Sequence, residues 1–182
     1  FGTMELPSLV RSLGVDYRKE LLGERRISTP SHTAFLKIAE GCDRPCSFCA
    51  IPLMRGGHRS VAVPALLQEA QNLVAGGVRE LVLIAQDLTW YGLDLTGQRE
   101  LAHLLDRLSA ESGAAWIRLQ YAYPGQFPLE ILPLIRERDN LCLYLDMPLQ
   151  HASNSVLTRM RRGISARATN KLVRDIRSAV PG

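Results

Sequence analysis

The sequence predicts an α/β fold, an open and partial barrel of parallel strands in which each strand is followed by a helix. Four short apolar segments of strand type alternate with segments that carry leucine at helical spacing. Such alternation is typical of parallel βα units. Four units are too few to close a barrel of the common eight-stranded kind, so we expect the barrel to be incomplete at its C-terminal end.

The first two strands are predicted at residues 35–39 and 81–85. The first is expected to be a short buried strand, and the second is a continuous apolar run of the kind that is buried on both faces of a sheet. The helix between them should begin near Pro64. We expect it to end at Gly76 and Gly77, because glycine adopts the left-handed conformation that terminates many helices.

The third unit consists of a helix and the strand that follows it. Leucines recur at helical spacing over residues 101–108, and Gly113 is expected to end this helix. A strand should follow at residues 116–121, with Ile117, Leu119 and Tyr121 facing the helices and Arg118 on the opposite face.

The fourth unit has the same order. Its helix is predicted at residues 128–138, where Pro133 should kink or shorten it, and its strand at residues 141–145. Cys142 lies in the middle of this strand and is expected to belong to the core, since free cysteine is among the most buried residue types. A last helix is predicted to have an apolar face, formed by Leu172, Val173 and Ile176.

The composition excludes several classes of protein. The chain has 182 residues, of which 46% are hydrophobic and 22% charged, with a net charge of +4. A disordered chain would be less apolar, and four cysteines do not make a disulfide framework. No run of about 20 apolar residues and no signal peptide is present, so we expect a cytoplasmic protein without a membrane anchor.

Residues 1–32 are expected to be a lead-in or linker, and residues 33–182 the domain itself. A few apolar residues near position 10 predict one short helix, and residues 28–31, STPS, have the composition of a linker. The chain begins at Phe1 without an initiator Met. We therefore expect it to be a piece of a longer protein.

Polar residues and cysteines follow the ends of all four predicted strands. In folds of this class, chemistry is located at the carboxyl ends of the strands. We therefore expect a functional site at this edge of the sheet. The segments concerned are 40–42, Gln86-Asp87, Tyr123-Pro124 and 146–151.

The segment after the first strand has the spacing C-x3-C-x2-C, formed by Cys42, Cys46 and Cys49. A disulfide would leave one thiol over, and buried structural cysteines rarely cluster in this way. Zinc needs four ligands, and His58 is a candidate for the fourth, which would make the chain a non-catalytic interaction module. Three thiolates would instead hold three irons of a [4Fe–4S] cluster and leave one iron open. We favour the cluster, because an open position is what a catalytic cluster requires.

This loop resembles that of the radical S-adenosylmethionine superfamily. Beyond FLKIAEGCDRPCSFCAI at residues 35–51, the segments PLMRGGHRS, LVLIAQDLTWYG, LYLDMPLQHAS and RMRRG are similar to its methylthiotransferase branch. The resemblance implies that Cys42, Cys46 and Cys49 bind a [4Fe–4S] cluster whose fourth iron chelates S-adenosylmethionine. Reductive cleavage of that cofactor would give a 5′-deoxyadenosyl radical, and a methylthio group would then be added at an unactivated carbon.

The resemblance also implies contacts between single residues and the cofactor. Phe48 would lie near the adenine, and Gln86 and Asp87 near the amino group, although a polar pair after a strand can equally be a helix cap. Arg118 should point into the barrel, toward the cofactor carboxylate or into a buried salt bridge. Gln150 and its neighbour His151 could reach the ribose or the substrate; alternatively, His151 caps the helix that follows. No catalytic residue is assigned.

The substrate implied by the resemblance is an aspartate of a small-subunit ribosomal protein, modified at its β-carbon; a tRNA adenosine is the alternative. Relatives of this kind carry a second [4Fe–4S] cluster in an N-terminal domain and a substrate-binding β-barrel domain, and neither is found in this chain. An electron donor such as flavodoxin or ferredoxin would be needed. Three arginines at a helix end, Arg159, Arg161 and Arg162, either complement the helix dipole or face an RNA-rich partner.

Overall fold

The structure, a computed structural model, describes residues 5–14 and 27–181 and confirms the α/β prediction. In the part of the chain that it describes, the strands are β1 (Thr33–Lys37), β2 (Ala39–Glu40), β3 (Arg59–Ser60), β4 (Glu80–Ile84), β5 (Trp116–Leu119) and β6 (Leu141–Leu145). β1, β4, β5 and β6 form one parallel sheet in that order. β1 and β6 are its two edges, so the sheet is open. β2 and β3 form a small antiparallel pair.

The helices of the described residues are α1 (Leu6–Ser12), α2 (Ile51–Arg55), α3 (Val63–Ala75), α4 (Leu93–Thr96), α5 (Leu101–Glu111), α6 (Ile131–Glu137), α7 (Asn154–Arg159) and α8 (Ala166–Ala179). A 3-10 helix spans Leu88–Trp90. α3, α5 and α6 pack side by side, and α8 packs against α6. None of these helices is long and apolar enough to cross a bilayer.

The core lies between the sheet and its layer of helices. The helices α3, α5 and α6 each contribute a leucine- or isoleucine-rich stripe, and the strands contribute the side chains that point toward them. Many large side chains in this layer are at most 1% exposed, among them Leu36, Leu81, Leu83, Leu104 and Ile117. Helix packing on one face therefore holds the strands in place, and with them the residues that follow their carboxyl ends.

The two helix endings predicted at glycines are confirmed. α3 ends at Ala75, and Gly77 follows with a φ of +99°. α5 ends at Glu111, and Gly113 has a φ of +75°. α6 is shorter than predicted, because Pro133 lies in its first turn, where a missing N–H breaks no helical hydrogen bond.

The predicted burial is wrong at both edge strands. Phe35 in β1 is 43% exposed, while its neighbours Ala34 and Leu36 are buried. In β6, Cys142 is only partly buried and does not belong to the core. An edge strand with helices on one face alternates between buried and exposed side chains, whereas the central strand β4 is buried on both faces as predicted.

The third strand ends two residues earlier than predicted. β5 stops at Leu119, and Tyr121 has a φ of +71°. Ile117 and Leu119 face the helices, as expected, but Tyr121 is 45% exposed and does not. A bulky residue in this left-handed conformation cannot continue a strand.

The short helix expected in the lead-in is confirmed as α1. The linker prediction falls largely on residues 15–26, which lie outside the described part of the chain; residues 28–31 form no helix or strand.

Candidate functional site

The cysteine loop, residues 42–49, lies at the carboxyl edge of the sheet. The loop follows β2. Between β1 and β2 lies Ile38, whose backbone N–H donates to the carbonyl of Ile84 at 3.0 Å. Residues after the neighbouring strands contact the loop, in particular Asp87 after β4 and Tyr123 after β5. The expectation that these segments meet at one edge is confirmed for these residues.

The entry to the loop depends on Gly41. Its φ is +81°, and a Cβ atom there would lie only 2.1 Å from the carbonyl oxygen of Gly57. This closeness lets the N–H of Cys42 donate to the carbonyl of Gly56 at 3.1 Å. On the other side, the carboxylate of Asp43 accepts the N–H of His58 at 3.1 Å. The loop is thus fixed to the segment between α2 and β3.

Arg44, between the first two cysteines, anchors the loop to the second strand of the sheet. Its Nε donates to Oδ2 of Asp87 at 2.8 Å, and its Nη2 to Oγ1 of Thr89 at 3.3 Å. The guanidinium also lies over the rings of Trp90 and Tyr123, with its carbon 4.1 and 4.0 Å from the two ring centroids. Stacking between two aromatic rings is favourable for a planar cation.

Asp87 has a structural role in this arrangement. Its Oδ1 accepts the backbone N–H of Thr89 at 2.9 Å and the hydroxyl of the same residue at 2.7 Å, so it caps the 3-10 helix. Its side chain is 1% exposed, and both carboxylate oxygens are engaged. Of the two interpretations of Gln86-Asp87 left open by the sequence, the cap is the one observed for Asp87.

Arg162 is buried against the cysteine loop and does not belong to a surface cluster. The residue is 4% exposed. Its Nη1 lies 3.4 Å from Sγ of Cys46, and its Nη2 donates to the carbonyl of Pro148 at 2.7 Å. Its guanidinium carbon lies 4.2 Å from the ring centroid of Tyr123, whose hydroxyl donates to the carbonyl of Arg162. The surface interpretation therefore fails for Arg162, while Arg159 and Arg161 are exposed.

The three thiols of the loop are free and differ in burial. Cys42 is buried, whereas Cys46 and Cys49 are partly exposed. Burial raises the pKa of the Cys42 thiol, and the nearby carboxylate of Asp87 raises it further. The N–H of Arg44, 3.4 Å from the sulfur, acts in the opposite direction.

Among the described residues, no three His, Cys, Asp or Glu side chains converge as ligands of a single ion. The zinc hypothesis predicted such a group from the three cysteines and His58, and it is not observed. The ring of His58 instead lies 3.2 Å from the hydroxyl of Ser60 and edge-on against Trp90.

Unpartnered polar atoms surround the cysteine loop. Within the described residues, four buried side-chain nitrogen or oxygen atoms have no hydrogen-bond partner. All four belong to residues that contact the loop or adjoin a residue that does: His58, Gln86, Trp90 and Arg162. Buried polar groups are almost always paired, so their concentration here indicates a site built to surround a further group.

The remaining candidates occupy different positions. Gln86 donates to Glu40 at 3.0 Å, which leaves its carbonyl oxygen unpartnered. Arg118 forms an ion pair with Glu80 at 2.7 Å and stacks on Tyr144. The expected salt bridge is therefore present, but it is partly exposed and not buried. Phe48 is 52% exposed on the loop.

Gln150 is exposed and has a φ of +71°. Next to it, Nδ1 of His151 accepts the N–H of Ser153 at 2.9 Å. His151 thus supports Ser153, the N-cap residue of α7, but it binds none of the N–H groups of the helix itself, so the cap prediction is only partly confirmed.

The sequence assigned no individual role to three residues that shape the site, Arg44, Trp90 and Tyr123, although Tyr123 lies in a strand-end segment where the site was expected. Arg44 carried a signal, since it lies inside the cysteine motif and a cation between two thiols needs a partner. The aromatic residues follow strand ends, but nothing in their spacing showed that they would enclose the same guanidinium.

Comparison with known proteins gives a consistent family. The model of the radical SAM superfamily matches residues 36–182. The chain is 58% identical over 182 residues to the ribosomal protein uS12 methylthiotransferase RimO of Flavobacterium johnsoniae, and 57% identical to that of Chloroherpeton thalassium. In both cases all of this chain is aligned, but it spans only 42% of the relative.

Solved structures share the fold. The radical S-adenosylmethionine methyltransferase TsrM of Kitasatospora setae matches with a TM-score of 0.65 and 16% identity, over 86% of this chain and 33% of TsrM. The cobalamin-dependent radical enzyme OxsB matches with a TM-score of 0.61 and 15% identity, over 78% of this chain and 22% of OxsB.

Proposed function

The chain belongs to the radical SAM superfamily, and from this premise we propose that it is the core of a methylthiotransferase that modifies an aspartate of ribosomal protein uS12. The observation that carries the proposal is the identity of 52–58% along the whole chain to relatives named for that activity. Since these relatives carry the protein-modifying name, a tRNA adenosine substrate is not favoured.

Membership in the superfamily implies a [4Fe–4S] cluster and S-adenosylmethionine. We assign the cluster ligands to Cys42, Cys46 and Cys49, because these free thiols share one loop at the carboxyl edge of the sheet. Each iron takes its own thiolate, so the sulfurs need not converge on one point as zinc would require. When bound, the cluster and cofactor would supply one-electron reductive cleavage and radical chemistry.

The chain's own contribution is to hold and enclose this chemistry. Arg44 keeps the loop fixed to the sheet, since its side chain is bound to Asp87 and enclosed by Trp90 and Tyr123. The unpartnered carbonyl oxygen of Gln86 is an acceptor suited to the ammonium group of the cofactor's methionine part.

Other cofactor contacts follow from position. Phe48 and Gln150 are exposed at the same edge, where they can contact the adenine and the ribose. Asp87 is proposed to act through Arg44. Arg118 would have to leave Glu80 in order to bind the carboxylate.

The rest of the protein belongs to the proposal as well. The chain spans less than half the length of the relatives it matches. We assign residues 33–182 to the radical SAM core and residues 1–32 to the connection with an N-terminal domain that holds a second [4Fe–4S] cluster. Partners would be the ribosomal protein, free or on the ribosome, and an electron donor such as flavodoxin or ferredoxin.

The experiment is to express the complete protein in a bacterium that lacks this modification. Ribosomal proteins and tRNA are then digested and analysed by mass spectrometry. The proposal predicts methylthio-aspartate in uS12 and unchanged tRNA. Methylthio-adenosine in tRNA with unmodified uS12 would overturn it. A variant with Cys46→Ser serves as the inactive control.

A further inference from the structure

Arg162 lies beside a proposed cluster ligand in a position that the fold holds firmly. Its Nη1 is 3.4 Å from Sγ of Cys46, which lies 116 positions away in sequence. Its second terminal nitrogen is held by the carbonyl of Pro148 at 2.7 Å. With one arm of the planar fork fixed in this way, the other is directed at the sulfur.

The ring of Tyr123 fixes the plane of this guanidinium. Arg44 and Arg162 lie 4.0 and 4.2 Å from the same ring centroid. Both guanidinium groups therefore contact the same aromatic ring. The hydroxyl of Tyr123 also donates to the backbone carbonyl of Arg162, which ties both ends of the residue to the ring.

The backbone before Arg162 is strained so as to turn the side chain inward. Arg161 has a φ of +53°, although it is not glycine. The N–H of Arg161 donates to Thr158 and that of Arg162 to Leu157, both at 3.0 Å, so α7 ends in a Schellman motif. Glycine is the usual residue at this left-handed position. The consequence is that Arg161 points to solvent and Arg162 to the cysteine loop.

One polar atom of Arg162 lacks a partner. Its Nε is buried without any hydrogen bond. A buried cation with an unpaired N–H is costly unless a negative group lies beside it. No carboxylate forms an ion pair with this guanidinium among the described residues. The positive charge of Arg162 is therefore available to pair with an anionic group next to Cys46.

We propose that Arg162 is a positioning residue that tunes the reduction potential of the cluster bound at Cys46. This inference rests on the proposed function. Reduction adds one electron, and hence one negative charge, to a cluster already bound by thiolates. A permanent positive charge that donates an N–H to a ligating sulfur stabilises the reduced form more than the oxidised form. In a site shielded from water this effect is larger than at the surface.

The test is a potentiometric titration of the full chain, reconstituted anaerobically with iron and sulfide and followed by electron paramagnetic resonance. The variants are Arg162→Gln, Arg162→Lys and, as a matched control, Arg161→Gln at the exposed neighbour. Iron per chain and far-UV circular dichroism are recorded for each, so that a loss of fold is recognised.

The proposal expects Arg162→Gln to shift the midpoint potential to a more negative value, with Arg161→Gln at the wild-type value. Arg162→Lys should lie between wild type and Arg162→Gln, since an ammonium keeps the charge but cannot contact Pro148 and Cys46 as a planar fork. If Arg162→Gln does not hold a cluster, a negative shift in Arg162→Lys supports the proposal.

Wild-type midpoint potentials in the Arg162 variants that hold a cluster would overturn the proposal while leaving the proposed function intact. A wild-type chain that takes up no iron–sulfur cluster would instead contradict the proposed function itself.

Discussion

Nε of Arg44 donates to the buried carboxylate of Asp87 at 2.8 Å, and this ion pair ties the cysteine loop to the end of the central strand β4. The two residues are 43 positions apart in sequence. Arg44 of the loop supplies the cation. Asp87, at the end of β4, supplies the anion and also caps the 3-10 helix. This one contact therefore fixes the position of the cysteine loop relative to the sheet.

Asp87→Ala is expected to lower the free energy of unfolding by about 3–5 kcal/mol, because it leaves the cation of Arg44 buried without its partner. Urea denaturation followed by circular dichroism measures this. The control is Asp106→Ala, which removes a partly exposed ion pair with Arg138 and should cost less than about 1 kcal/mol. Equal effects of the two substitutions would contradict the anchoring role.

Gly41→Ala is expected to destabilise the chain more than Gly56→Ala. Both glycines have positive φ values, of +81° and +75°. A Cβ at Gly56 meets nothing within 4 Å, whereas one at Gly41 would overlap the backbone of Gly57. Gly56 has a φ of +75° and a ψ of −168°, a conformation that essentially only glycine adopts. Gly56→Ala should therefore cost only the conformational strain, about 1–3 kcal/mol, and Gly41→Ala clearly more. Thermal denaturation of both variants measures the difference in stability. An equal loss of stability would show that crowding at Gly41 is unimportant.

Arg161→Gly is expected to raise the free energy of unfolding by about 1 kcal/mol, because glycine adopts the left-handed conformation at the end of α7 without strain. The same replacement inside a helix should have the opposite sign. Arg174→Gly, at an exposed position of α8, should lower it by about 1 kcal/mol. Destabilisation by Arg161→Gly would mean that the arginine side chain contributes more than its backbone costs.

Asp94 makes stability depend on pH in the acid range. Burial acts to raise the pKa of its carboxyl, but hydrogen bonds from the side chain and backbone of Ser60, at 2.6 and 2.8 Å, lower the pKa below the ordinary 3.8. A lowered folded-state pKa stabilises the fold above the unfolded value, and this contribution is lost as the pH falls through the folded value.

Asp94→Asn should remove this dependence. The stability difference between wild type and variant is expected to be constant above about pH 5 and to shrink below about pH 4. Urea denaturation across this range measures it. A difference that stays constant down to pH 2 would contradict the role of Asp94.

Much of the fold followed from periodicity and punctuation in the sequence. The four parallel strands and the helix ends at Gly77 and Gly113 were predictable, because apolar patterns and glycine conformations are local properties. The exposure of Phe35 was not, since a strand's burial depends on whether it lies at an edge of the sheet.

The thiols of the candidate site could be predicted from the sequence, but the residues that hold the cysteine loop in place could not. The spacing of Cys42, Cys46 and Cys49 is a local signal. The contact of Arg162 with Cys46 joins residues distant in sequence, and the three neighbouring arginines at 159, 161 and 162 have no pattern that separates the buried one from the exposed two. Only the turn of the chain at Arg161 separates them.

The central claim is that the loop holds an iron–sulfur cluster with an open position. The most direct measurement is anaerobic reconstitution with iron and sulfide, followed by electron paramagnetic resonance of the reduced protein with and without S-adenosylmethionine. We expect about four irons per chain and a signal that S-adenosylmethionine perturbs, lost in Cys46→Ser and retained in Cys142→Ser and His58→Ala. A colourless chain that binds one zinc and loses it in His58→Ala would contradict the account.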